Sequence, residues 1–301
     1  MTQSTQPDNK CNICPRRCNI DRTHNKGYCL MNDKIMAARA ALHMWEEPCI
    51  SGTRGSGAVF FSGCSLRCIF CQNYEIAQGN CAREISGDRL SEIFLELQEK
   101  GAANINLVTA THFAPAVIGA LKKAKAQGMY LPVIYNSSGY ERVKTVQMLE
   151  EVVDVWLPDF KYMDPELAFA CSKAKDYPEV AVAAIREMML AGGRCEYDDN
   201  GYIQKGVIVR HLILPGHTKN SIAVLDELYE TYGKNLTISL MNQYTPLPQV
   251  RDIPDLNRRV TKREYEKVLD HALDLGITQG FFQEGGTAKE SFIPLFDYEG
   301  L

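Results

Sequence analysis

Three cysteines, Cys64, Cys68 and Cys71, stand at C-x3-C-x2-C spacing in FFSGCSLRCIFCQN, residues 60–73. Thiols this close on one loop cannot reach separate centres, so they converge on a single inorganic one. A structural zinc site is closed by a fourth Cys or His, and none lies between Leu66 and Ala77. An iron-sulfur cluster held by three thiolates keeps one iron open for a substrate or cofactor. The spacing therefore predicts a metal socket with one position left for a ligand.

A second group lies upstream. CNICPRRCNI and KGYC place Cys11, Cys14, Cys18 and Cys29 at C-x2-C-x3-C-x10-C, with Pro15 and Gly27 supplying turns. Four ligands with no open position suit either a structural zinc or an auxiliary iron-sulfur cluster. Cys49, Cys81, Cys171 and Cys195 show no partner spacing and read as structural or incidental. The start MTQSTQPDNK lacks the charged-then-apolar pattern of a secretory signal. Clustered cysteines in a reducing compartment bind metal or react rather than pair, so a cytoplasmic and anaerobic setting is expected.

Residues 1 to about 50 lack regular periodicity and read as a Cys-rich, metal-binding N-terminal extension. From 51 to 301 strand-like and helical runs alternate. Strands are expected at 58–62, 105–110, 131–136, 154–160, 206–214, 236–244 and 278–286. Helices are expected near 86–100, 114–127, 141–150, 177–191, 221–232 and 261–276, the last opening with Thr261 and Glu264 at capping-box spacing. Such alternation gives parallel strands with right-handed crossovers. We expect an α/β fold, a partial (β/α) barrel rather than an open doubly wound sheet. Either way, the loops leaving the strand ends share one face. The three-cysteine loop, THFAP, NSSGY and PDFKY would meet there.

Composition narrows the partners. The chain has 301 residues, net charge −4 and 33 scattered basic residues, which argues against a nucleic-acid surface. No apolar run reaches the roughly 18 residues of a membrane span, so no membrane partner is expected.

Cys64, Cys68, Phe70 and Cys71 together resemble the radical S-adenosylmethionine (SAM) superfamily, whose signature is C-x3-C-x2-C with an aromatic before the last Cys. The surrounding EEPCISGTRGSGAVFFSGCSLRCIFCQNYEIAQ is similar to the pyruvate formate-lyase activating enzyme-like branch, and the likeness runs from residue 11 to about 290. The resemblance implies a 4Fe-4S cluster whose open iron chelates SAM. One-electron reduction, by a flavodoxin or ferredoxin, then cleaves SAM to methionine and a 5'-deoxyadenosyl radical that abstracts hydrogen. The sequence departs from the branch at the GGE-type turn after the second strand, where TATHFAP places Thr109, Thr111 and His112. Hydroxyl or carbonyl contacts, with Thr111 the leading candidate, must then replace a carboxylate.

Carried over residue by residue, the resemblance sets Asn136 and Ser138 near the SAM carboxylate or ribose, and Asp159 and Lys161 beside the carboxylate. Arg210 and His211 alternate across one strand, so only one faces inward. Arg210 matches the strand-borne arginine of the family and is the expected pocket residue. Phe70, and secondarily Tyr74, are expected to pack the adenosyl group. Asn242, Gln243 and Tyr244 end a strand with polar tips placed to reach SAM or substrate, and Gln243 is the chosen member. Glu284 could meet a cationic substrate group; His217 is as readily exposed. HMWEEP, His43 to Pro48, either docks the extension or borders the substrate opening.

Two functional classes remain at this stage. The first is an enzyme that abstracts hydrogen, either from a glycine of a partner glycyl-radical enzyme or from a small molecule or peptide. The second is a non-enzymatic iron-sulfur or zinc protein for electron transfer or metal delivery, which would not bind SAM.

Overall fold

The computed structural model describes residues 10–283 and 294–301. The chain begins its regular structure with β1 (Ile35–His43), the short helix α1 (Pro48–Ser51), β2 (Ser56–Phe61), α2 (Tyr74–Ala77) and β3 (Arg83–Ile85). There follow α3 (Gly87–Glu99), β4 (Ile105–Val108), α4 (Ala114–Ala126), β5 (Val133–Ser137), α5 (Val143–Leu149) and β6 (Val155–Pro158). Next come α6 (Pro165–Ser172), α7 (Tyr177–Gly192), β7 (Glu196–Tyr197), β8 (Ile203–Val207) and β9 (Val209–Leu212). The series ends with α8 (Thr218–Tyr232), β10 (Ile238–Met241), α9 (Lys262–Asp274) and β11 (Gly280–Phe282).

The strands form a partial (β/α) barrel. β2, β4, β5, β6 and β8 run parallel in one sheet, and β9, β10 and β11 run parallel in another. A parallel bridge between Asp159 and Arg210 joins the two, with Phe160 N–H donating to Arg210 O at 2.8 Å. The run expected as one strand at 206–214 is thus two, and it turns the wall from one sheet into the next. Among the described residues β11 and β3 are edge strands with no pairing between them, so the barrel is open there.

The sequence placed residues 35–43 in the metal-organised extension, but they are β1, paired antiparallel with β2 along six Cα partners. Its buried side chains, including Ala37, Ala38 and Ala40, make it part of the barrel wall. A regular strand thus lies inside the stretch expected as an extension. Helix α6 was also not expected; Asp164 caps it by accepting from Glu166 and Leu167 N–H, and Pro165 fits its first position.

Elsewhere the periodicity fixes the packing. On α3, Leu90, Ile93, Phe94 and Leu97 are all buried, each stabilising the fold by about 1.5–3 kcal/mol. On α9 both halves of the Thr261–Glu264 capping box are present. No helix among the described residues is long and apolar enough to cross a membrane.

Candidate active site

At the strand ends the described residues form a cavity, and the three-cysteine loop is part of its wall. Cys64, Cys68, Phe70 and Cys71 line it together with Asn136, Ser138, Asp159, Lys161, Arg210 and Gln243. Ten residues from five separate stretches of sequence thus share one space. Parallel strands explain this: β2, β5, β6 and β10 deliver their residues at or just past their C-terminal ends, and Arg210 is the second residue of β9.

Charge in the cavity is organised around Asp159. Its Oδ2 accepts from Lys161 Nζ at 2.6 Å and its Oδ1 from Arg210 Nε at 3.0 Å. Burial opposes the Asp159 charge, but Lys161 and Arg210 outweigh it and hold the carboxyl below its usual range. Burial likewise opposes the Lys161 ammonium, yet Asp159 and Cys68 more than offset it and raise its pKa. Asp159 takes one of the three ammonium N–H groups of Lys161. Arg210 Nη2 also donates to Asn136 Oδ1 at 2.6 Å. The inward side chain of β9 is therefore Arg210. Its neighbour His211 faces the other way, its ring nitrogens bonded to Phe160 O at 2.6 Å and Ser221 Oγ at 2.9 Å.

The network holds a residue that spacing did not single out. Glu46, from HMWEEP, accepts from Arg210 Nη1 at 3.0 Å, Asn106 Nδ2 at 3.0 Å and Asn136 Nδ2 at 3.3 Å. It is as buried as its partner, with side chains 9% and 14% exposed. A signal was available: an arginine turned into a barrel needs more than one acceptor, and two adjacent acids follow β1. His43 and Trp45 from the same segment also line the cavity, so HMWEEP borders the opening as well as bracing it.

Thr111 is not in the cavity. The chain turns into a single 3-10 turn at Thr111–Phe113, which carries Thr111 into the core, where its hydroxyl donates to Glu141 Oε1 at 2.6 Å. The residue of TATHFAP that lines the cavity is Thr109, held at φ 61°. A β-branched residue there is strained by about 1–2 kcal/mol. His112 is buried, its Nε2 2.7 Å from Ser62 O. Tyr74 opens α2 and stands off the lining. Tyr244 belongs to the core: its hydroxyl donates to Leu256 O at 2.8 Å while its ring lies 6.0 Å from that of Phe70. The Asn242 backbone N–H donates to Gln283 Oε1 at 3.0 Å. His217 is half-buried just ahead of α8, and Glu284 lies outside the described residues.

Cys11, Cys14, Cys18 and Cys29 do not reach this cavity, yet they sit against its loop. Gly63 has φ 85°, and a Cβ on it would stand 2.5 Å from Cys29 O. Only glycine permits that approach one residue ahead of Cys64. Arg16, between Cys14 and Cys18, donates through Nε to Ser65 O at 2.8 Å. The Arg16 and Arg67 guanidiniums lie 3.9 and 4.2 Å from the centre of the Tyr28 ring, cation–π contacts that tie the segment to the loop.

A family profile described as the radical SAM superfamily matches residues 58–229, more than half of the chain. The chain belongs to the radical SAM superfamily. An uncharacterized protein of Methanocaldococcus jannaschii is 29% identical over 271 residues, which cover 87% of this chain and 74% of that one. Among solved structures, HydG, a maturase of the FeFe-hydrogenase, superimposes with TM-score 0.53 and 15% identity over 76% of this chain and 52% of its own. The chain thus spans about half the length of HydG, and the likeness shows the radical SAM barrel alone. A domain of pyruvate-formate lyase-activating enzyme from Bacteroides vulgatus gives TM-score 0.39 at 15% identity over 57% of this chain and 91% of that domain. That value is too low to argue a branch.

Radical SAM domains carry a 4Fe-4S cluster and SAM, and the donor set here fits both. Three thiols of one loop line the cavity, and burial pushes the Cys64 thiol up to about 11 and that of Cys71 higher still. Thiols so reluctant to ionise alone are drawn into thiolate form by iron. Lys161 lies close enough for the Cys68 and Cys71 charges to raise its pKa, and so offers a cation beside them for a carboxylate.

Proposed function

We propose that this radical SAM protein is an enzyme whose cluster is held by Cys64, Cys68 and Cys71 and whose SAM lies against Lys161, Arg210, Asn136 and Ser138. When bound, the cluster and SAM supply reductive cleavage of SAM and abstraction of hydrogen from a substrate. The observation that carries the reading is the shared cavity: three thiols of one loop face a buried Asp159–Lys161–Arg210 group.

The chain's own residues do four things. Asp159 spends both carboxylate oxygens on Lys161 and Arg210, so it positions cations rather than contacting a ligand cation itself. Lys161 holds the methionine carboxylate through its remaining N–H groups. Phe70, buried between the Tyr162 and Tyr244 rings at 6.4 and 6.0 Å, shields the site from water. Gln72 Nε2 donates to Gln243 O at 3.1 Å and anchors the cysteine loop to the end of β10.

The substrate enters beside Trp45, which lines the cavity while 58% of it remains exposed. A glycine of a partner glycyl-radical enzyme and a peptide or small molecule are both compatible with this opening. A flavodoxin or ferredoxin supplies the electron in a cytoplasmic setting, and the four N-terminal cysteines hold zinc or an auxiliary cluster.

The test is anaerobic reconstitution followed by dithionite and SAM. Methionine and 5'-deoxyadenosine should appear, and Cys68→Ala should abolish both. Fully loaded protein that binds no SAM and yields neither product identifies an electron-transfer or metal-delivery protein instead. A glycyl radical signal on an added partner marks activation; its absence with product on a peptide marks the other substrate class.

A further inference from the structure

Helix α6 ends against the cysteine loop. In its last turn Cys171 O accepts Ile69 N–H at 3.0 Å, and Ser172 O accepts an Arg16 Nη2–H at 2.7 Å. The backbone there is thus held from the loop on one side and from the N-terminal cysteine segment on the other. The Ser172 hydroxyl lies 3.0 Å from Cys68 Sγ, and the Tyr162 hydroxyl lies 2.8 Å from Ser172 Oγ. Ser172 and Tyr162 are 1% and 0% exposed, so water does not compete for these bonds.

The direction of this chain follows from its end. A thiolate bound to iron carries no proton and can only accept, so Ser172 O–H points at Cys68. The Ser172 oxygen then accepts from Tyr162 O–H, which polarises the serine hydroxyl and strengthens its bond to sulfur. An added electron places more negative charge on the cluster sulfurs. A donor aimed at one of them therefore stabilises the reduced state more than the oxidised state, and hydrogen bonds to ligand sulfur are among the factors that set cluster potentials.

We propose that Ser172, backed by Tyr162, is a positioning residue that raises the reduction potential of the cluster at Cys64, Cys68 and Cys71 and so eases its one-electron reduction. The inference rests on the cluster assignment made above. It gives α6 a role in the redox step although none of its residues lines the cavity.

The experiment is a redox titration of reconstituted full-length protein with dithionite, read by the electron paramagnetic resonance signal of the reduced cluster that Cys68→Ala removes. Ser172→Ala and Tyr162→Phe should each shift the midpoint to lower potential, with the larger shift for Ser172→Ala. Ser172→Thr, which keeps a hydroxyl, should restore it. Ser91→Ala, a buried hydroxyl bonded instead to Gln127, should leave it unchanged. Iron and sulfide contents equal to wild type exclude simple loss of the cluster. If Ser172→Ala fails to load, Tyr162→Phe decides alone, since it keeps the ring packed on Phe70 and Tyr177. Unmoved midpoints in the loaded variants overturn the proposal and leave the cluster in place. Absence of any signal that depends on Cys68 overturns the cluster assignment first.

Discussion

Glu46→Ala tests whether the segment ahead of α1 braces the cavity. The substitution removes an acceptor shared by Arg210 Nη1, Asn106 Nδ2 and Asn136 Nδ2. Breaking a buried ion pair from one side costs about 3–5 kcal/mol when the surviving charge has no other partner. Here Arg210 keeps Asp159 and Asn136, which brings its share to about 2 kcal/mol. Asn106 loses its acceptor at a fully buried position, adding about 1 kcal/mol. The expected total is about 3 kcal/mol. With a urea m-value near 3 kcal/mol/M for a chain of this size, the midpoint falls by about 1 M. Trp156, 1% exposed, reports unfolding by fluorescence, while the other tryptophan, Trp45, is already 58% exposed and changes little. Glu46→Gln keeps one acceptor oxygen without the charge and should lose about half as much. A loss below about 1 kcal/mol for Glu46→Ala refutes the view that this carboxylate organises Arg210.

Three other outcomes are expected. Burial holds the His211 pKa down to about 4 against an unfolded value near 6.5. The unfolded chain therefore takes up the proton first, and stability falls as pH drops from about 6.5 to 4, by up to about 3 kcal/mol from this residue. In His211→Gln the slope of stability against pH across that window should fall by up to one proton, and an unchanged slope contradicts the assignment. Gly139 has φ 73°, and a Cβ there would lie 2.1 Å from Asp159 O. Gly139→Ala should displace the Asp159 backbone and weaken SAM binding at least tenfold by equilibrium dialysis; wild-type affinity contradicts the contact. Replacing Cys11 and Cys14 by serine should remove zinc, or iron with sulfide, from the N-terminal site while the cluster signal dependent on Cys68 persists. Metal content equal to wild type rules that site out.

The sequence alone determined the local matters. The spacing of Cys64, Cys68 and Cys71 needs no fold to bring the thiols together, because one loop carries them all. The 3.6-residue period of α3 and the cap of α9 are likewise properties of short stretches, and these helices form where the pattern puts them. Alternation of strand and helix sufficed to bring Asn136, Asp159 and Lys161 to one face, because parallel strands collect their C-terminal ends, whereas Arg210 was singled out by the family resemblance. Tertiary structure decided what depends on long-range approach. The seat of Glu46 beside Arg210 spans 164 positions and leaves no period in the sequence. Thr109 rather than Thr111 faces the cavity because the chain turns immediately after β4, an event of backbone dihedrals and not of spacing. The strand β1 looked irregular because its alanines and Arg39 follow no clean alternation, and pairing with β2 on one side and β3 on the other makes it a strand. The bond from Ser172 to Cys68 links residues 104 apart. A hydrogen bond of that span exists only once the barrel has folded and α6 has packed against the loop.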